Sequence, residues 1–159
     1  MLIIRPHHIN CLFFFKGLGY NYDFTSNMNN IKNTLIKDNN VKIKLVSQCD
    51  MICSHCPSKS LDVCLFHDKV RLLDNKTLKE YKLNINTEYD FSHIINNIYK
   101  RYNPKKFCNI CNTCEWFKKG VCSINIISEQ KDYWLKSMKK WVIYLLMNIA
   151  HYESLDSFV

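Results

Sequence analysis

A cysteine pattern written twice constrains this chain more than any other feature. The first copy is Ile52-Cys53-Ser54-His55-Cys56, six residues, then Val63-Cys64. The second is Ile110-Cys111-Asn112-Thr113-Cys114, six residues, then Val121-Cys122. Both read C-x2-C-x7-C, with the same residue before the first and last cysteine. Two residues between cysteines let a tight turn aim both sulfurs at one centre, and a third cysteine a short loop later closes on it. Matched triplets of this kind are metal half-sites. Each is one ligand short of four, and Cys11, Cys49, Cys108 and the histidines are the candidates to complete them.

The chain has 159 residues, nine of them cysteine, which suits one domain with a modest core. The opening Met1-Leu2-Ile3-Ile4-Arg5-Pro6-His7-His8 lacks the charged and long apolar regions of a signal peptide. The expected setting is therefore the reducing cytoplasm, where Cys-x2-Cys pairs bind metal or do redox chemistry. A thiol–disulfide pair at Cys53 and Cys56 is the lesser reading, because two matched triplets exceed what a dithiol needs.

The net charge of +8 by itself suggests anionic partners. Metal-bound cysteines are thiolates, however, and a four-thiolate centre around a 2+ ion or core carries net −2. About +6 remains with one such centre and about +4 with two. The basic residues are scattered rather than clustered, so nucleic acid is not an expected partner.

The expected fold is α+β: a mostly helical small domain with two short strands in its N-terminal half and two cysteine knuckles around a metal or cluster site. Leu2 to Arg5 reads as a buried strand, and Pro6 suits the first turn of a helix from about His7 to Lys16. Gly17 to Tyr20 ends it. A second helix is expected from Asp23 or Thr25 to Lys37 and a second strand over Val41 to Val46. Beyond the first knuckle the pattern predicts a helix over Leu65 to Tyr81, with a break near Asp74-Asn75. A connector follows at Asn84 to Thr87, and then a helix over Phe91 to Tyr102 that Pro104 stops. Residues 1–124 form the cysteine-rich domain. Residues 125–159 carry one amphipathic helix, from about Glu129 to His151, that packs on the domain or mediates association. Its Trp141 to Ala150 stretch is too short to span a bilayer. Dimerisation or packing is its leading use, and binding to a membrane surface the alternative.

Around the knuckles, His7 and His8 stand four and three residues before Cys11, so either can share its helix face. They are candidate ligands or acid–base groups, or simply pack the helix start. Asp50 is placed to accept backbone N–H bonds from the knuckle. Trp116 and Phe117 would shield the centre from water. His55 lacks a counterpart in the second copy, where Thr113 stands, and reads as a surface residue. His67, His93 and His151 read as incidental. Cys108-x2-Cys111-x2-Cys114 matches the start of the bacterial ferredoxin spacing, and Cys56-Pro57 its closing pair. Spacing alone leaves zinc and iron–sulfur both open.

The run Leu2-Ile3-Ile4-Arg5-Pro6-His7-His8 with Cys11, then Gly17 to Tyr20, Phe24, Asn27-Met28 and the Asp50-Met51-Ile52-Cys53 knuckle resemble the DUF1284 family. These are small bacterial and archaeal proteins held to bind iron–sulfur clusters on the strength of their cysteines. The second knuckle, with Cys114-Glu115-Trp116, is similar to the longer, clostridial-type members. The resemblance covers about residues 1–124. It implies cluster binding, with [4Fe–4S] favoured over zinc, by Cys11, Cys53, Cys56, Cys64, Cys111, Cys114 and Cys122. It implies no reaction. Met51 departs from the family pattern, and Cys49 and Cys108 look like additions to it. The expected function is electron transfer or redox sensing with a redox partner protein. A structural zinc interaction module, or an enzyme using His7 or His8 beside a cluster, are the alternatives. The shortfall in each triplet favours one composite centre, with a second left open.

Overall fold

The computed structural model describes residues 1–138. The expected helix residues Lys139, Lys140, Trp141, Val142, Leu145, Leu146 and Ile149, and His151, lie outside the described residues.

Strand β1 (Leu2–Ile4) alternates buried, exposed, buried, as a strand with one covered face must. It pairs in parallel with β2 (Lys42–Leu45), Leu2 opposite Ile43 and Ile4 opposite Leu45. Between them run α1 (His8–Phe14) and α2 (Tyr22–Lys37). Helix α1 buries six of its seven residues, as its nearly all-apolar sequence requires. Gly19 brings the connecting loop onto the start of α2, where an added Cβ would lie 2.5 Å from the Thr25 methyl. Asn21 caps α2 by accepting from Phe24 N–H at 2.9 Å.

The α+β class and the two N-terminal-half strands stand as expected. A third strand, β5 (Glu88–Asp90), follows the expected Asn84 to Thr87 connector and was not anticipated. It pairs antiparallel to β2, giving the order β1-β2-β5. Its Glu88-Tyr89-Asp90 sequence hides it, since only Tyr89 is partly covered and the two flanking acids face solvent.

Helix α3 (His67–Tyr81) runs unbroken through Asp74-Asn75, because Asp74 turns inward to buried partners instead of ending the helix. The expected Phe91–Tyr102 helix begins as α4 (Phe91–Ile94) and widens into a π turn over Ile95–Tyr99. Pro104 starts a helix as well as following one. It occupies the first turn of α5 (Pro104–Cys111), where its missing N–H costs nothing, and Asn103 caps that helix through Lys106 N–H at 3.0 Å.

The core lies between the sheet, α1, α2, the α4 segment and α5. It is aromatic at its centre, with Phe13 stacked on Tyr102 at 4.5 Å and Phe14 against Phe107 at 4.5 Å. Residues 127–138 are helical (α7), and Trp134 from this segment is fully buried against Phe91 and Tyr99. Tyr99 donates to the Ile9 carbonyl, and Tyr102 and Tyr81 to Asn10 Oδ1. These bonds pin α1 by its backbone and by the residue just before Cys11. Among the described residues no helix is long and apolar enough to cross a membrane.

Candidate metal centre

The first triplet is folded by a single turn and a hairpin. Cys53–His55 forms a 3-10 turn, closed by Cys56 N–H on the Cys53 carbonyl at 3.0 Å. Lys59 N–H then bonds the Cys56 carbonyl at 3.0 Å. Strands β3 (Lys59–Ser60) and β4 (Val63–Cys64) pair antiparallel with Cys64 opposite Lys59. The seven-residue spacer is thus a hairpin whose tip, Leu61, takes a left-handed conformation and whose return delivers Cys64 beside Cys56.

The second triplet reaches the same end with helices. Cys111 is the last residue of α5, and Cys114 N–H bonds its carbonyl at 2.8 Å. Cys114 is the N-cap of α6 (Glu115–Lys118). The chain turns at Gly120, with φ +72, and the N–H groups of Val121 and Cys122 both point at the Trp116 carbonyl, at 3.0 and 3.3 Å. Equal spacing in the sequence therefore hides unequal local structure.

Both triplets face one cavity of about 530 Å³, and Cys11 from α1 faces it too. Its walls include Cys53, Cys56, Cys64, Cys111, Cys114 and Cys122, together with Arg5, His7, His8, Phe14, Trp116 and Phe117. Cys49 and Cys108 are not among its lining residues. His55, His67 and His93 are exposed, as their sequence context suggests. A volume of this size belongs with sites for whole cofactors, roughly 300–1,000 Å³.

The two histidines are held by buried carboxylates. His8 Nδ1 lies 2.6 Å from Asp50 Oδ2, and His7 Nδ1 lies 2.7 Å from Asp74 Oδ1. Asp50 is also the anchor of the first knuckle. Its Oδ1 accepts from Cys53 N–H at 2.8 Å, and its Oδ2 from Arg5 N–H. The expectation that Asp50 orients the knuckle through backbone N–H bonds thus holds. Asp74 was missed. It accepts from Arg5 Nη2 at 2.6 Å, from Arg5 Nε at 3.0 Å and from His7 N–H at 3.0 Å. A carboxylate on the same face of α3 as Leu73 and Thr77, both buried, was the available signal.

Burial would raise the Asp50 pKa, but His8 and the N–H groups of Arg5 and Cys53 outweigh it and hold the carboxyl well below the usual range. Burial, then the neighbouring His8, lowers His7 to about 4 against the pull of Asp74. His7 is therefore neutral at neutral pH and donates its Nδ1–H to the carboxylate.

The thiols respond in the opposite sense. Burial, followed by neighbouring thiolates, pushes Cys11 well above its ordinary value, raises Cys111 and carries Cys122 up to about 12. Burial and then Asp50 raise Cys53, and burial raises Cys56. Without a cation these sulfurs are protonated and poor nucleophiles, the reverse of a redox-active dithiol. A cation in the cavity would displace the protons and relieve the mutual repulsion. Soft thiolates in that number suit zinc, copper(I) or iron–sulfur.

Among the described residues, one trio of potential donors has its atoms within 4.8 Å of one another: His8, Asp50 and Cys53. No three cysteine sulfurs come that close there. This site can hold a metal.

The family described as a protein of unknown function, DUF1284, matches residues 19–120. That span includes Cys53, Cys56, Cys64, Cys111 and Cys114, and leaves Arg5 to Cys11 and Cys122 outside it. No curated protein and no solved structure matches the chain. With well over half of its residues matched, the chain belongs to the DUF1284 family.

Proposed function

We propose that this protein binds iron–sulfur and serves in electron transfer or redox sensing, with a redox protein as its partner. One observation carries the reading: seven cysteines from both triplets and α1 line a single cofactor-sized cavity without converging on a point. Four thiolates around one zinc ion, each at about 2.3 Å, would stand roughly 3.8 Å apart. Among the described residues no three cysteine sulfurs stand within 4.8 Å of one another. A polynuclear cluster, in which each cysteine holds a different iron, fits such spacing.

Bound in this cavity, a cluster supplies one-electron chemistry. The chain's own residues supply the setting. Phe14, Trp116 and Phe117 keep water from the sulfurs, and Trp116 is steadied by its Nε1–H to Tyr20 Oη at 3.3 Å. Arg5 and the neutral His7 also line the cavity, so that positive charge and a proton acceptor border it.

Anaerobic purification with iron and sulfide quantification, visible absorption and electron paramagnetic resonance tests the proposal. Iron with matching acid-labile sulfide, and a signal on reduction, are expected. A colourless protein with stoichiometric zinc would overturn it.

A further inference from the structure

The seven cysteines do not line the cavity as one even ring. Cys11 belongs with the second triplet. Phe14, three residues after Cys11 on α1, packs on Phe107, four residues before Cys111 on α5, at 4.5 Å between rings. The thiols whose charge acts on Cys11 are those of Cys114, Cys122 and Cys111, and all four line the cavity. With these three it makes four cysteines.

The first triplet stays three. Its 3-10 turn and hairpin carry Cys53, Cys56 and Cys64. Two further donors stand near them: the Cys49 thiol, which acts on Cys53 and Cys56 but does not line the cavity, and His8, which lines it and has a ring nitrogen within 4.8 Å of Cys53 Sγ. Asp50 completes the compact trio, with Oδ2 taking Arg5 N–H and His8 Nδ1 and Oδ1 taking Cys53 N–H. It is a support rather than a ligand. A carboxylate on Nδ1 fixes the tautomer and leaves Nε2 as the free donor, the arrangement metal-bound histidines use.

Resting on the iron–sulfur reading above, we infer that the cavity holds two centres. Cys11, Cys111, Cys114 and Cys122 bind one, and Cys53, Cys56 and Cys64 bind the other, with His8 Nε2 as its fourth ligand. Asp50 positions His8 and is not itself bound. Cys49, next to Asp50 but outside the cavity lining, takes no part.

The test uses the full chain, purified without oxygen. In the reduced wild type, pulsed electron paramagnetic resonance should show nitrogen hyperfine coupling from an imidazole bound to one centre. Absence of that coupling overturns the inference without any variant. Cys111→Ser with Cys114→Ser should lose about half of the iron and keep the coupling, and Cys56→Ser with Cys64→Ser should lose the other half together with the coupling. Removal of all iron by either pair, in protein whose circular dichroism is unchanged, means one composite centre and overturns the division. His8→Ala should lose the coupling, and His8→Cys should restore wild-type iron without it. Cys49→Ser should alter neither, and a loss of iron there in place of His8→Ala would give the ligand role to Cys49. If the protein carries zinc and no iron, the iron–sulfur reading fails separately. Two zinc ions per chain would still support the division, and one would overturn it.

Discussion

Arg5 and Asp74 meet across 69 residues of sequence as a buried pair, Nη2 to Oδ2 at 2.6 Å, with both side chains almost wholly covered. The same carboxylate takes the N–H and Nδ1 of His7, so one side chain on α3 fixes the turn between β1 and α1. Removing one partner leaves an uncompensated buried charge. Asp74→Ala is expected to cost about 3–5 kcal/mol in urea unfolding. An Arg5→Met, Asp74→Leu double variant should recover much of that loss, because the desolvation of both charges is then avoided. A double variant no more stable than Asp74→Ala would show that the pair's hydrogen bonds to His7 dominate instead.

Asp50 ties three segments together: β1 through Arg5 N–H, α1 through His8 and the first knuckle through Cys53 N–H. Asp50→Ala should destabilise the chain by about 2–3 kcal/mol, as hydrogen bonds to a charged group are lost. It should also lower the metal content bound through the first triplet, by about 10- to 100-fold in affinity. Metal analysis and denaturant melts on the same preparation read both effects. Retention of full metal affinity would show that the knuckle is held without its anchor.

Lys32 gives a pH signature away from the cavity. Its Nζ donates to the Phe15 carbonyl at 2.6 Å and sits 4.3 Å from the Tyr133 ring centre. Burial, then the nearby Lys16, lowers its pKa from 10.5 to about 8. Lys16 is itself paired with Glu129 at 2.9 Å. The folded state releases this proton before the unfolded state does. Between pH 8 and 10.5 the unfolded chain therefore holds more protons, and the Lys32 contribution to stability rises with pH. Against Lys32→Met, the wild type should gain up to about 3 kcal/mol across that window. A pH-independent difference between the two would show that Lys32 titrates normally.

Metal removal should be felt as lost stability and as altered thiol chemistry together. With the cation gone Cys11, Cys111 and Cys122 take up protons, since burial and their neighbours hold them above the ordinary range. Chelated protein is expected to melt at lower temperature. At neutral pH, Cys11 and Cys111 should alkylate more slowly than free cysteine as long as the fold holds. Mass mapping of the labelled peptides checks this. Rapid labelling of both before unfolding would mean that the cavity opens without metal.

The sequence made the doubled triplet legible because cysteine spacing is a local signal, and the structure brings both copies to one cavity. The first two strands and helices were legible for the same reason, through apolar periodicity and the Pro6 and Gly17 boundaries. What escaped was set by partners far away in the chain. Asp74 looked like a helix breaker because nothing near it announces Arg5. Strand β5 owes its existence to β2 rather than to its own sequence. The π turn at Ile95–Tyr99 accompanies the fit of Tyr99 and Tyr102 to α1, which no local period encodes. Asp50 was legible because it sits three residues from the cysteine whose N–H it holds.

Cys11 and Cys122 stand on the same cavity although nearly the whole described chain separates them. During synthesis, the first triplet leaves the ribosome well before the second exists. A centre that draws on Cys11, Cys114 and Cys122 together cannot close until both have emerged, and metal insertion is then a late step. Once made, it staples the N-terminal helix to the far end of the fold. It removes loop entropy from the unfolded chain as a long-range cross-link does.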